Sequence, residues 1–145
     1  MREIKFKVWD EESKKMYCGY DAIVTFSGFL EEVYVRNKNT VDELIDYKIM
    51  QYTGLKDKNG KEIYEGDILK EKHSKYSNKP PKKSYGVIKR EGCNCNLYVE
   101  WNFQDRYEGE VFWNKDRLSL HCASQYEVIG NVYENSNLLE GNRWN

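Results

Sequence analysis

Residues 51–70, QYTGLKDKNGKEIYEGDILK, carry three glycines, a dense alternation of Lys with Asp or Glu, and no recognisable catalytic motif. Their meaning is geometric. Two hairpin registers compete over LKDKNGKEI, residues 55–63. A two-residue turn on Asn59-Gly60 sets Asp57 opposite Glu62, and like charges repel across an antiparallel ladder. A three-residue loop, Lys58-Asn59-Gly60 with Gly60 left-handed, instead pairs Asp57 with Lys61, Lys56 with Glu62 and Leu55 with Ile63. Each agreeing pair contributes only about 0.2–1 kcal/mol, yet three together select the second register. The following YEGD is a further tight turn, in which Gly66 releases backbone strain and Asp67 hydrogen-bonds nearby amides before a strand begins at Ile68. Gly54, Asn59, Gly60, Gly66 and Asp67 are therefore read as turn residues fixed by backbone geometry.

Extended segments lie on both sides of this hairpin. In EIKFKVW, Ile4, Phe6 and Val8 point one way and Lys5, Lys7 and Trp9 the other, the pattern of a half-buried strand. MYCGY, AIVTF and EEVYVR follow, separated by polar or Gly-containing turns, and YGVIKRE, NLYVEWNF, EVFWN, RLSLH and YEVIGNVYEN come later. One segment departs from the alternation. In NTVDELIDY, Thr40 with Glu43 matches a capping box and Leu44 with Ile45 supplies a short apolar face, so one short helix is expected near residues 40–47. The expected fold is mainly β, a twisted antiparallel sheet closing into a barrel or sandwich. With 145 residues the chain suits a single domain, 1–145, with a polar tail from about residue 136.

Composition narrows the function classes. The chain has 23 Lys and Arg against 24 Asp and Glu, so any electrostatic role must be local. Its first residues, MREIKFKVWDEE, alternate charged and apolar side chains unlike a signal peptide, and no apolar run reaches bilayer length. A cytoplasmic protein without membrane contact is expected. Cys18, Cys93, Cys95 and Cys122 are then reduced thiols.

The run YTGLKDKNGKEIYEGDILK, with REIKFKVWD at the start, KIMQ before it and EVIGNVYEN near the end, resembles the YopX family of small proteins encoded by phages and prophages of Gram-positive bacteria. The resemblance implies a β-rich fold and a bacterial host cytoplasm. It brings no catalytic residues and no activity. The stretches Lys72 to Ser84 and Cys93 to Glu110 fall outside the resemblance, and there this member is individual.

The first of those stretches lies in a basic segment. From Lys70 to Arg90 there are eight Lys or Arg and one Glu, and Pro80-Pro81 denies the middle both helix and paired strand. Lys72, Lys75, Tyr76, Lys79, Lys82, Lys83 and Arg90 are candidate contacts to phosphate backbones or to an acidic protein surface. With Arg90 alone among arginines there, bidentate base reading is poorly served, so any nucleic-acid binding is expected to be sequence-independent. A solvated loop is the competing account.

Other chemistry is weakly supported. One residue between Cys93 and Cys95 is too few for a zinc chelate in an extended strand, and His121 and Cys122 would face opposite sides of one. Neither His73 nor His121 sits in a nucleophile motif, and the carboxylates Glu65 with Asp67, or Asp105, Glu108 and Glu110, fit solvated turns. No catalytic residue, metal or cofactor is therefore assigned, and the protein is not expected to be an enzyme. The aromatic group is different: Trp101 and Phe103 share a strand face, whereas Phe112 and Trp113 must face opposite sides of theirs. Trp101, Tyr107, Phe112 and Trp113 become candidates for a protein interface. The sequence thus supports a non-catalytic binding module for a host or phage protein or for another copy of itself. Weak nucleic-acid binding through the Lys-rich segment 70–90 is the alternative.

Overall fold

The computed structural model describes residues 4–71, 85–91, 96–104, 111–118 and 120–140. Strands dominate. They are β1 (Phe6–Asp10), β2 (Lys15–Cys18), β3 (Ala22–Ser27), β4 (Leu30–Arg36), β5 (Val41–Leu44), β6 (Tyr47–Lys56), β7 (Glu62–Tyr64), β8 (Asp67–Glu71), β9 (Tyr85–Glu91), β10 (Asn96–Gln104), β11 (Val111–Arg117) and β12 (Tyr126–Asn131). Among the described residues helical turns are confined to a 3-10 turn at Gly19–Asp21, α1 (Leu120–Ala123) and α2 (Ser136–Glu140). The mainly β class is as expected, and one sheet is curled into a half-barrel.

The chain forms two compact units, Met1–Tyr52 and Thr53–Asn145, and the division falls inside the continuous strand β6. In the first unit β1 lies between β2 and the start of β6, while β3, β4 and β5 form a second antiparallel sheet. Val8, Trp9, Tyr17, Val33, Val35, Met50 and Tyr52 are its buried apolar residues among those described. Both Val8 and Trp9 are buried, so the end of β1 is covered on both faces and not half-buried as the alternation implied. In the second unit a five-stranded antiparallel sheet runs β11-β10-β9-β8-β12. Ile63, Leu69, Ile88, Val99, Leu118, Ala123, Tyr126 and Val128 pack into its core. Removing such apolar surface from water stabilises the unit by about 25 cal/mol per Å².

The helix expected near residues 40–47 is not formed. Val41–Leu44 is β5, paired antiparallel to β4 from Val33↔Leu44 to Arg36↔Val41. The capping box is used otherwise: Thr40 N donates to Asn37 O at 3.3 Å and Thr40 Oγ1 to Asp42 Oδ2 at 3.1 Å, closing a tight turn. A single helical turn makes too few hydrogen bonds to offset its nucleation, and the waiting edge of β4 offers a full ladder.

Candidate functional site

Between residues 51 and 70 the expected turn chemistry is present and extends further than a hairpin. Asp57 N donates to Lys61 O at 2.8 Å and Gly60 N to Asp57 O at 3.0 Å, which is the three-residue loop, with Gly60 left-handed at φ 80°. The Asp57 carboxylate, in a residue only 6% exposed, does not pair with the Lys61 ammonium. Instead Oδ1 accepts Asn59 N at 2.8 Å and Lys61 N at 2.9 Å, and Oδ2 accepts Val128 N at 3.0 Å, 71 residues away in sequence. Lys58 adds a bond from its N to Tyr126 O at 3.0 Å and an ion pair with Glu127 at 3.6 Å. The corner is thereby fastened to β12, and one buried carboxylate holding three amides is worth more than the ion pair the charge pattern suggested.

The second turn works the same way. Asp67 Oδ2 accepts Tyr64 N at 2.8 Å, Gly66 N donates to Ile88 O at 2.9 Å, and Gly66 O accepts Val132 N at 2.9 Å. Gly54 is not at a turn; it lies within β6 at φ 85°. Its left-handed backbone breaks the alternation, so that Tyr52 and Thr53 are buried in succession. Thr53 Oγ1 repairs the ladder there, donating to Ile63 O at 2.7 Å and accepting Leu55 N at 3.2 Å.

Of the basic candidates, Lys72, Lys75, Tyr76, Lys79, Lys82 and Lys83 lie outside the described residues. Arg90, on β9, is ion-paired with Glu65. Its neighbour Lys89 pairs with Glu100 across the ladder at 2.5 Å. The end of the basic segment is therefore tied into the sheet. Among the aromatic candidates, Tyr107 lies outside the described residues, and the register sets Trp101 opposite Asn114, Trp113 opposite Asn102 and Phe112 opposite Phe103. Of the weighed carboxylates, Glu65 and Asp67 are both engaged in these structural contacts, while Asp105, Glu108 and Glu110 lie outside the described residues. Cys18 is an exposed free thiol. Among the described residues no group of three or more His, Cys, Asp or Glu could hold a metal ion, and no helix is long and apolar enough to cross a membrane.

The first unit holds a surface that the sequence reading missed. β3 and β4 meet at a two-residue turn, with Ser27 paired to Leu30 and Gly28 left-handed at φ 62°. Around it Phe26 is 68% exposed, Leu30 66%, and Phe29 fully exposed. Carboxylates flank this tip: Glu31 accepts the Tyr47 hydroxyl at 2.9 Å and Glu32 the Tyr34 hydroxyl at 2.7 Å. These hydrogen bonds are the main reason that both phenols are held above the ordinary tyrosine range, with desolvation second. The available signal was FSGFL itself, because a Gly corner between two strands puts the flanking aromatics beyond the reach of any core.

Residues 5–140 match the family model described as YopX protein. No curated protein matches the chain. Among solved structures, protein EF1440 from Enterococcus faecalis is similar at 27% identity with a TM-score of 0.52, over 96% of this chain and 99% of that one.

Proposed function

The chain belongs to the YopX family, and from that footing we propose that it is a non-catalytic binding module of phage or prophage origin that engages another protein in the bacterial cytoplasm. The observation that carries this reading is the β3–β4 tip. Phe26, Phe29 and Leu30 stand in water at one corner, and large apolar side chains gathered beyond the core are what protein interfaces use as anchors. Glu31 and Glu32 follow directly on β4, so the matching surface is apolar with a basic rim. Two copies meeting tip to tip would set these carboxylates against one another, which favours a different protein as partner. Engaged turn and ladder contacts account for Glu65 and Asp67, leaving the enzyme reading no support from these two carboxylates.

The test is capture from lysogenic or infected cells with the native chain and with Phe29→Ser, followed by reconstitution of the captured protein with each form. Loss of the complex with Phe29→Ser supports the reading; equal capture by both removes the tip from it. A solution mass above that of one chain, unchanged by Phe29→Ser, would favour self-association through another surface. The second reading, phosphate-backbone binding through Lys72, Lys75, Lys79, Lys82 and Lys83, rests on the excess of cations in that segment. It requires a mobility shift with mixed-sequence strands that falls steeply as salt is raised.

A further inference from the structure

Away from the apolar tip, the first unit contains a cleft of about 800 Å³ between the β2 strand with its following turn and the β4–β5 corner. Its walls carry three cations, Lys15, Arg36 and Lys38, and one acid, Asp21. The unit around it is acidic, with eight Lys and Arg against ten Asp and Glu in residues 1–52. The positive charge is thus concentrated at one concave place. Among the described residues neither the Arg36 nor the Lys38 side chain makes an ion pair or hydrogen bond, and the Lys15 side chain makes a cation–π contact alone, its Nζ 5.1 Å from the Tyr17 ring centroid. The nearby carboxylate of Asp42 accepts Asn37 Nδ2 at 2.8 Å and Thr40 Oγ1 at 3.1 Å on one oxygen and forms no ion pair with these cations.

The cleft is also preorganised. Tyr17, 7% exposed, donates its hydroxyl to Asn37 Oδ1 at 3.2 Å, which ties the β2 wall to the opposite corner. Asn37 N in turn donates to Thr40 O at 2.9 Å, fixing the turn that presents Arg36 and Lys38. The fixed turn holds the backbone of Arg36 and Lys38 on one side of the cleft, within side-chain reach of the same oxyanion as Lys15 on the other. The volume lies within the roughly 300–1,000 Å³ of small-molecule sites.

We propose that this cleft binds the phosphate monoester of a small hydroxyl-bearing molecule. A phosphate monoester carries about −1.5 to −2 charges at neutral pH, matching three cations less one acid. Arg36 is the group able to grip two phosphate oxygens at once, with Lys15 and Lys38 as point charges beside it. Asp21 is an acceptor for a hydroxyl on the ligand body.

Cys18 lies on the cleft wall and is exposed, so its alkylation reports occupancy directly. The experiment measures the iodoacetamide rate at Cys18 by peptide mass spectrometry in the full chain, at low salt, with ribose 5-phosphate, adenosine 5′-monophosphate, inorganic phosphate or adenosine added. The expected result is protection by the two esters at about millimolar concentration, none by adenosine, and little by inorganic phosphate. Arg36→Gln and, separately, Lys38→Gln should each weaken that protection about tenfold, with unchanged circular dichroism. Replacing Lys72, Lys75, Lys79, Lys82 and Lys83 together by Gln, or Phe29 by Ser, should leave it intact, which separates this site from the protein-binding tip and from the basic segment. Absence of protection by both esters, protection that survives Arg36→Gln and Lys38→Gln, or equal protection by inorganic phosphate would overturn the assignment.

Discussion

The β6–β7 corner and the β3–β4 corner both turn on a left-handed glycine, Gly60 at φ 80° and Gly28 at φ 62°, and at neither would an added Cβ meet another atom within 4 Å. Around Gly60 the side chains point inward to work: the Asp57 carboxylate holds three amides and Lys58 reaches β12. Around Gly28 they stand outward, with Phe26, Phe29 and Leu30 in solvent. One corner is a fastening and the other is an offer. Turn geometry by itself does not separate the two; what the neighbouring side chains touch does.

The largest expected effect tests the fastening. Asp57→Ala removes the acceptor of three amides, one of them on a different strand, and should cost about 3 kcal/mol in urea unfolding. Asp57→Asn keeps one carbonyl oxygen and should lose less. A loss under about 0.5 kcal/mol for Asp57→Ala would mean that water replaces the carboxylate and the corner is not a fastening at all.

Next come the glycines, where the two corners should behave alike. Gly60→Ala and Gly28→Ala each force an L residue into the left-handed region and should cost about 1–2 kcal/mol, by backbone strain alone since both sites are open. Equal losses confirm a shared backbone device; a much larger loss at Gly60 would show that the capping network depends on the turn's conformation. Smaller still is the stability effect of Phe29→Ser, expected within about 0.5 kcal/mol because the ring buries nothing, while complex formation is lost.

The least effect concerns pH. Hydrogen bonds to Glu32 and Glu31 raise Tyr34 and Tyr47 above the ordinary 10.0, so the folded chain favours the neutral phenols. Their contribution is complete below that ordinary value and is lost as pH rises through the raised one. Titration by phenolate absorbance should show late-ionising groups, one of them removed by Tyr34→Phe and another by Tyr47→Phe.

How much of this was legible beforehand depends on the range of the forces involved. The three-residue loop and the left-handed Gly60 were readable because turn chemistry is local. The partner of the Asp57 carboxylate was not, since Val128 is 71 residues distant and an Asp–Lys pattern looks the same whether it pairs charges or caps amides. Thr40 and Glu43 spelled a helix start that the edge of β4 overrode, a tertiary contact outweighing a local preference. The cleft was invisible for the same reason: Lys15 and Arg36 become neighbours only after β2 and the β4–β5 corner are brought to one place.

Gly54 has a last consequence. Before it the inward positions of β6 fall on one parity of residue number, and after it on the other, because Tyr52 and Thr53 are both interior. The strand is in effect two rhythms spliced by half a beat, and the splice sits where the two units divide. Adding or deleting one residue on either side of that splice would turn one half of the strand inside out. Length changes in this chain should therefore be tolerated at its corners and not in this strand.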